Sequence, residues 1–478
     1  MKKSEAKDIF LQGEEATIKK LLELDTELEK LKKKHIWKDR NSQNSSKPPS
    51  LDSAAEKKKR KQQNKKKKSN KKAGGQPGHK GTRRELLPTS EVDDIVKIYP
   101  DTCEKCNASF LEESHSKDDV PVSRWQVAEI PEIKPTTTEY QCFSKQCNCG
   151  HCTNGKLPDA ISSSNFGPRL TAIIAYMTSV MRGSRRGVKE FLDIILGVNM
   201  SLGSVQNCLE RTSEALAPVD YELNRELSKQ PVLNADETGW NDSWLWIFVS
   251  STFIYFRVAA SRGSDVLQNV LGDNFNGVLC VDRWGAYSKF HKGKFQFCWA
   301  HLKRDIKKLS DIGEKTENQE ALDFANTVNR LRKRIMRYWH KFKDGKIDRE
   351  TLKSKTASTR SEMKRILKDN LQSETGEIGT FSRGLYSRWD GLFTFIFHDG
   401  VEPTNNIAEQ GIRPAVQWRK VCFGSRSYRG AVMTSRLLTA TRTCWLQKRN
   451  PLEFLVECIS NHREKGKRLT SLLQDSAA

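Results

Sequence analysis

Asp236, Asp282 and Glu409 are the residues of this chain whose types and placement best fit a chemical role. Asp236 closes the apolar run Pro231-Val-Leu-Asn-Ala-Asp236, and Asp282 closes Gly277-Val-Leu-Cys-Val-Asp282. Glu409 lies in Thr404-Asn-Asn-Ile-Ala-Glu409, which has a helix-start pattern. Acids at the ends of two buried strands and on a nearby helix can hold divalent cations, and all-oxygen ligands favour hard ions, Mg²⁺ or Mn²⁺. Two such ions about 3.5–4 Å apart serve in-line displacement at phosphorus, one activating a water or 3′-hydroxyl and the other stabilising the leaving oxygen. Asp236 and Asp282 are expected to share the metals, with Glu409 holding one of them. Glu237, Asp242, Asp305, Asp399 and Glu402 compete for these roles, and Asp305 and Glu402 are the substitutes to test.

A second metal site is expected from cysteine spacing. Cys103-Glu-Lys-Cys106 and Cys149-Gly-His-Cys152 are two C-x-x-C knuckles in a segment rich in turns. Two such knuckles can close a tetrahedral thiolate site for a structural Zn²⁺, with no open coordination position. Cys142 or Cys147 can replace a ligand, and His151 is a weaker candidate. So short a segment has few other apolar residues, so a metal would hold it together. His301 follows Cys298 by three residues, also a ligand-like spacing. With no second pair nearby, it reads as packing or a DNA contact.

Elements must position the acids. Val232–Ala235, Ser243–Ser251 and Phe253–Val258 are rich in β-branched and aromatic residues and predict strands. Ser264–Leu271 suits a short helix, Gly277–Val281 and Phe295–Ala300 further strands, and His301–Leu309 a helix. This is the order of an RNase H-like α/β core, with the first acid on the first strand and the second on the fourth. It is a fold analogy and carries no activity alone. A Lys/Arg-rich helical block then intervenes, with Leu331, Ile335 and Trp339 on one face. Asn405 or Asn406 is placed to cap the helix of Glu409. Arg413, Arg419 and Lys420 follow as phosphate contacts. Trp240, Trp284 and Trp418 lie near the acids, as core aromatics or as platforms for an unpaired base.

Upstream, Pro168–Val180, Gly187–Leu196 and Ser204–Leu216 have helical period, with Ser201 a cap in the turn before the last. The pair resembles a helix-turn-helix, with Arg182, Arg185 and Arg186 placed for phosphates and Ser204, Gln206, Asn207 and Arg211 for the groove. Residues 5–34 read as an amphipathic helix whose Leu21, Leu24, Leu28 and Leu31 form a short coiled-coil seam for self-association.

The expectation is a multidomain α+β protein. It comprises a coiled-coil helix over 5–40, a disordered basic linker over 41–94, a zinc-binding domain over 95–160 and a helical, DNA-binding-like domain over 161–228. The RNase H-like core occupies 229–310 and 391–465, interrupted by a helical insertion over 311–390. The formal charge of +23 favours a polyanionic partner. Between Lys57 and Lys72, 11 of 16 residues are Lys or Arg and none is acidic, nearly half of that excess. Lys57, Lys58, Lys59, Arg60, Lys65, Lys66, Lys67 and Lys68 are therefore expected to meet DNA phosphates as a salt-sensitive arm. No apolar stretch approaches the ~18 residues of a membrane span. The charged N-terminus lacks a signal-peptide core, so a cytoplasmic, reducing setting is expected.

Taken together, several motifs resemble the DDE transposases of the insertion sequence 66 family. They are Asn44-Ser-Ser-Lys-Pro-Pro-Ser50, Gly74-Gly-Gln-Pro-Gly-His-Lys-Gly81, the paired knuckles, Asp236-Glu-Thr, Asp282-Arg-Trp-Gly-Ala-Tyr287, Cys298-Trp-Ala-His301, Asn405-Asn-Ile-Ala-Glu409 and Ile412-Arg-Pro414. The resemblance spans nearly everything after the N-terminal helix. It implies that Asp236, Asp282 and Glu409 form the triad, that the knuckle region helps recognise the element's ends, and that the N-terminal coil mediates assembly. The implied partners are DNA (terminal inverted repeats and target), further copies of the chain and accessory proteins of the same element. Gln410, where the family often has a basic residue, and Thr404, often acidic there, depart from the pattern. The alternatives are a zinc-containing DNA-binding regulator without catalysis and an RNase H-like nuclease that does not transpose.

Overall fold

The structure, a computed structural model, describes residues 9–24, 27, 41–45, 47, 52–66, 79, 81, 85–110, 120–162, 164–464 and 470–473. The chain divides into two compact units, Met1–Glu56 with Thr136–Ala478, and Lys57–Pro135. No helix among the described residues is long and apolar enough to cross a membrane.

Residues 14–24 are helical, and Ile18, Leu21 and Leu22 are exposed along them. Leu28 and Leu31 of the expected seam lie outside the described residues. The stretch expected to be a disordered linker contains structure. Ala54–Lys66 is a helix, α1. Its start is a capping box: Glu56 N donates to Ser53 Oγ at 3.2 Å, and Ser53 N donates to Glu56 Oε2 at 2.6 Å. Strong helix formers follow, and the helix has no apolar face. Asn44 Nδ2 donates to Asp311 Oδ2 at 3.0 Å, so part of the proline-containing motif docks on the helix that follows the sheet's last strand.

Two short strands, β1 (Ser144–Gln146) and β2 (Cys152–Asn154), pair antiparallel. The main sheet has five strands: β3 (Val232–Trp240), β4 (Ser243–Val249), β5 (Ile254–Ala259), β6 (Val278–Val281) and β7 (Phe295–Phe297). Their order is β5-β4-β3-β6-β7. The first three run antiparallel, and β6 and β7 join in parallel. This mixed sheet is consistent with the expected RNase H-like core. Two bounds differ from the sequence reading. β3 runs on to Trp240, because Asp236 to Trp240 continue pairing with β4. β7 stops at Phe297, and the next helix starts at Trp299 with Cys298 as its N-cap.

Four helices precede the sheet: α2 (Pro168–Ser179), α3 (Arg185–Leu196), α4 (Leu202–Ala215) and α5 (Ala217–Leu227). Ser201 caps α4 by accepting from Ser204 N, and Ser184 caps α3 in the same way from Gly187 N. After β5 comes α6 (Ser264–Leu271), and after β7 come α7 (Trp299–Thr316), α8 (Gln319–Lys343), α9 (Arg349–Asp369) and α10 (Gly376–Tyr386). Helices α8 to α10 form the insertion. They bury Leu331, Ile335, Trp339, Leu352 and Leu367, and Ile366 is partly buried against them. The chain returns through α11 (Asn406–Cys422), α12 (Tyr428–Leu446) and α13 (Pro451–Arg463).

The sheet is held by two helices in different ways. Helix α11 lies close on β3 and β4, and Gly411 permits this, since a Cβ there would sit 2.7 Å from Ile247 Cδ1. Helix α12 covers β5, the sheet's edge. Thr443 Oγ1, Thr439 Oγ1 and Ser435 Oγ accept from the backbone N–H groups of Ile254, Phe256 and Val258 at 3.1, 2.9 and 3.0 Å. Hydroxyls four residues apart on one helix face thus match the period-2 N–H groups of a strand. The last helix, α13, packs on α2, with Arg169 Nη2 3.1 Å from Glu453 Oε1.

A candidate carboxylate active site

The parallel ladder between β3 and β6 ends at the pair Asn234↔Cys280. Asp236 and Asp282 each lie two residues further on, so strand register carries both onto the same side of the sheet end. Asp236 is thus a mid-strand residue beyond the parallel pairing, rather than the last residue of its strand. Glu409 lies in the first turn of α11, and Asn405 attaches that turn to both neighbours. Asn405 Nδ2 donates to Ala235 O at 2.7 Å, and its backbone N donates to Cys298 Sγ at 3.1 Å. Asn405 holds the N-cap position, but its side chain makes no capping bond and spans to β3 instead.

Burial, and for Asp236 and Glu409 also neighbouring negative charge, raises all three acids. Burial raises the Asp236 carboxyl well above its ordinary value, and the charges of Glu237, Glu409 and Asp282 push it further, against an N–H bond from Glu237. Burial also raises Asp282, opposed by the Trp284 N–H at 2.8 Å and by Arg262, Arg283 and Arg304. Glu409 is raised by burial, with Arg304 and Arg413 opposing and Asp282 adding to the rise. Three carboxylates within electrostatic reach, all resisting ionisation, are a site short of positive charge.

Four of the five competing acids are engaged elsewhere, and Asp242 meets only the Asn241 amide at 3.5 Å. Glu237 is buried and receives Arg262 Nη2 at 2.6 Å and the Tyr287 hydroxyl. Asp305 pairs with Arg283, Glu402 with Lys343 at 2.6 Å, and Asp399 with Arg349 at 2.6 Å. Among the described residues, neither Asp236 nor Asp282 makes a salt bridge. Glu409 has a cation no nearer than Arg304, 3.8 Å away. Its Oε1 is buried without a hydrogen-bond partner.

His301 has the companion that the sequence reading did not find. Cys298, His301 and Glu409 bring one ligand atom each within 4.8 Å of one another, among the described residues. The partner is distant in sequence, so no local spacing pointed to it. His301 Nδ1 lies 3.7 Å from Glu409 Oε1. Burial and the charges of Arg304 and Arg283 push the imidazole down to about 3, so it is neutral and this contact is no ion pair.

Of the expected aromatics, Trp240 and Trp418 are core residues packed edge to face at 6.4 Å. Trp284, next but one to Asp282, is 43 % exposed, with Arg262 over its ring at 4.3 Å. Arg413 and Lys420 are exposed on α11, while Arg419 reaches back to Thr238. Arg185 is bonded to Gln206 at 2.6 Å, and Arg186 is exposed. Lys57 and Lys58 lie on α1. The side chains of Lys59, Arg60, Lys65 and Lys66, and all of Lys67 and Lys68, lie outside the described residues.

Cys103 and Cys106 belong to one compact unit, and Cys149 and Cys152 to the other. Each cluster has its own knuckle turn. Backbone N–H groups of Lys105 and Cys106 lower the Cys103 thiol, and Asn107 follows with φ of 57°. In the second cluster Cys147 accepts N–H from Cys149 and is lowered in the same way, with Gly150 at φ of 85°. Cys147, an alternative ligand in the sequence reading, is therefore the thiol of that cluster with knuckle geometry.

A basic cavity of about 950 Å³ lies between β7 and the insertion. Lys292, Lys294, Arg360, Lys364 and Arg388 line it, together with the 43 % exposed Phe397. The Nε atoms of Arg360 and Arg388 are buried without hydrogen-bond partners. Sequence reading missed this cavity because its cations come from the loop before β7, from α9 and from the turn after α10.

The protein named "Uncharacterized protein y4hP", of Sinorhizobium fredii (strain NBRC 101917 / NGR234), is 22% identical over 412 residues, which cover 77% of this chain and 72% of that protein. Residues 3–85 match a family of unknown function. Residues 163–433, more than half of the chain and the span that holds all three carboxylates, match the family described as Transposase IS66 family, and the chain belongs to it.

Proposed function

We propose that this transposase cleaves DNA at the ends of its own element and joins the freed 3′ ends to target DNA, with Asp236, Asp282 and Glu409 as the acidic triad. The observation that carries the reading is that burial raises all three carboxylates while none of them holds a close cation, whereas Glu237, Asp305, Asp399 and Glu402 are each paired with an arginine or lysine. A buried carboxylate oxygen without a partner, beside two further under-compensated acids, fits a hard divalent ion such as Mg²⁺ or Mn²⁺. Such ions, when bound, activate the attacking hydroxyl and stabilise the leaving oxygen.

The chain's own residues do the positioning. Asp236 and Asp282 are set by strand register, and Glu409 is set by the Asn405 clamp. Arg304 and Arg283 supply fixed positive charge beside the acids, where a phosphate would approach. The basic cavity, exposed Arg413 and Lys420, Arg186, and the lysines of α1 and the residues after it are the phosphate contacts in this reading. The C-x-x-C spacing of Cys103 with Cys106 and of Cys149 with Cys152 supports the reading of structural Zn²⁺ ligation by these thiols. Copies of the chain would assemble on the paired ends.

The test is strand transfer on DNA carrying the element's terminal inverted repeats, in Mg²⁺. Asp236→Asn and Glu409→Gln are expected to keep DNA binding and lose joining. Unchanged joining in either variant removes that residue from the triad. Hydrolysis of the ends without joining in the unaltered chain would instead identify a nuclease that does not transpose.

A further inference from the structure

We propose that Cys298, His301 and Glu409 form a binding site for a thiophilic divalent cation of the Zn²⁺ class, and that occupancy of this site withdraws Glu409 from phosphoryl transfer. The effect on catalysis rests on the triad reading above, whereas the binding itself does not.

The ligand set decides the class of ion. A thiol, an imidazole nitrogen and a carboxylate are a mixed set that Zn²⁺ or Co²⁺ accepts and Mg²⁺ does not. A tetrahedral ion with bonds of about 2.0–2.3 Å holds its ligand atoms about 3.4–3.6 Å apart. His301 Nδ1 and Glu409 Oε1 are 3.7 Å apart, and the whole set lies within 4.8 Å, so a shift of about 1 Å closes it. Three protein ligands leave the fourth position open to water.

Two features of the surroundings suit a cation there. Both His301 Nδ1 and Glu409 Oε1 are buried and without hydrogen-bond partners, although they face each other. Buried polar atoms are nearly always satisfied, and a cation between these two would satisfy both. Cys298 stands at the N-cap of α7 and accepts the backbone N–H of Asn405 at 3.1 Å. Burial holds this thiol above its ordinary value, so an ion would bind the sulfur with release of its proton. Asn405 meanwhile fixes the first turn of α11, so thiol and carboxylate are presented to each other before any ion arrives. Against the ion stands Arg304, 3.8 Å from the same oxygen, a distance too long for a hydrogen bond to be lost.

The experiment uses the full chain and Co²⁺ as the probe, with Cys298→Ser and His301→Ala alongside. Subtracting each variant's spectrum from that of the unaltered chain cancels thiolate sites elsewhere. The expected difference is a near-ultraviolet thiolate-to-cobalt charge-transfer band for Cys298→Ser, and a changed visible ligand-field band for His301→Ala. Identical spectra for the unaltered chain and both variants, each shown to be folded by circular dichroism, overturn the proposal.

A second arm titrates Zn²⁺ into Mg²⁺-dependent strand transfer. The inhibitory midpoint is expected to rise at least tenfold in Cys298→Ser, read against that variant's own zinc-free rate. Equal midpoints overturn the withdrawal of Glu409. Cobalt bands from a chain that joins no DNA in any condition would uphold the site and instead count against the transposition reading.

Discussion

Asn405 donates its side-chain amide to the carbonyl of Ala235 across 2.7 Å, fixing the start of the Glu409 helix against the residue that precedes Asp236. Two acids from distant parts of the chain are thereby held together by a neutral group. Asn405→Ala is expected to lower strand transfer about 100-fold, since a misplacement of about 1 Å costs that much. Its stability should fall by about 1–3 kcal/mol from the unsatisfied carbonyl. Strand transfer and thermal unfolding measured on one preparation check both parts. A full rate in a folded variant would remove the clamp from the positioning of Glu409.

Glu237 and Asp236 are adjacent and should respond in opposite ways. The Glu237 carboxylate is almost wholly buried and depends on Arg262 and Tyr287. Arg262→Met leaves it short of its cation and is expected to cost about 1–3 kcal/mol, since the arginine is partly exposed and the Tyr287 bond remains. Asp236→Asn removes a charge that nothing in the protein balances, and is expected to keep or raise stability while abolishing joining. Denaturant unfolding of the two variants would read the contrast.

The same imbalance predicts a pH dependence. Asp236, Asp282 and Glu409 are all raised above their ordinary values. The folded chain therefore holds these protons where the unfolded chain, titrating near about pH 4, has lost them. Their contribution to stability is fully present below about pH 4 and is lost as pH rises through the raised values. In Mg²⁺-free buffer the Tm difference, Asp236→Asn minus unaltered chain, should grow from about pH 5 to about pH 8. Adding Mg²⁺ at pH 7 should raise the Tm of the unaltered chain more than that of the variant. A difference independent of pH would show that Asp236 ionises normally.

The basic cavity between β7 and the insertion should contact the sugar-phosphate backbone rather than read sequence. Lys294→Ala and Lys364→Ala are expected to weaken binding to unrelated DNA duplexes equally. Each lost phosphate contact should lower the slope of log affinity against log salt by about 0.9. Filter binding at several salt concentrations measures this. An unchanged slope in the double variant would place the DNA elsewhere.

Much of the catalytic half was legible because local pattern and tertiary role coincide there. The run ending at Asp282 is a strand buried on both faces, which is what an unbroken apolar run records, while the run ending at Asp236 alternates buried and half-buried residues. The Ser201 cap was readable for the same reason, its bond being local. The Asn405 clamp was not, because Asn at a helix start predicts a cap, and only the folded sheet offers the Ala235 carbonyl instead. The partnership of His301 with Glu409 was hidden by the insertion that separates them in sequence. Helix α1 was missed through weighting, since the Ser53 and Glu56 capping box was present but the charge run beside it argued for disorder.

The hydroxyl row of α12 on β5 has a consequence for how copies of this protein can meet. An exposed edge strand accepts another strand, and here three N–H groups that a newcomer would need are already taken by Thr443, Thr439 and Ser435. The sheet is therefore chemically finished on that side by a helix acting as its sixth member. Extension of the sheet across β5 by a strand of another chain is thereby closed.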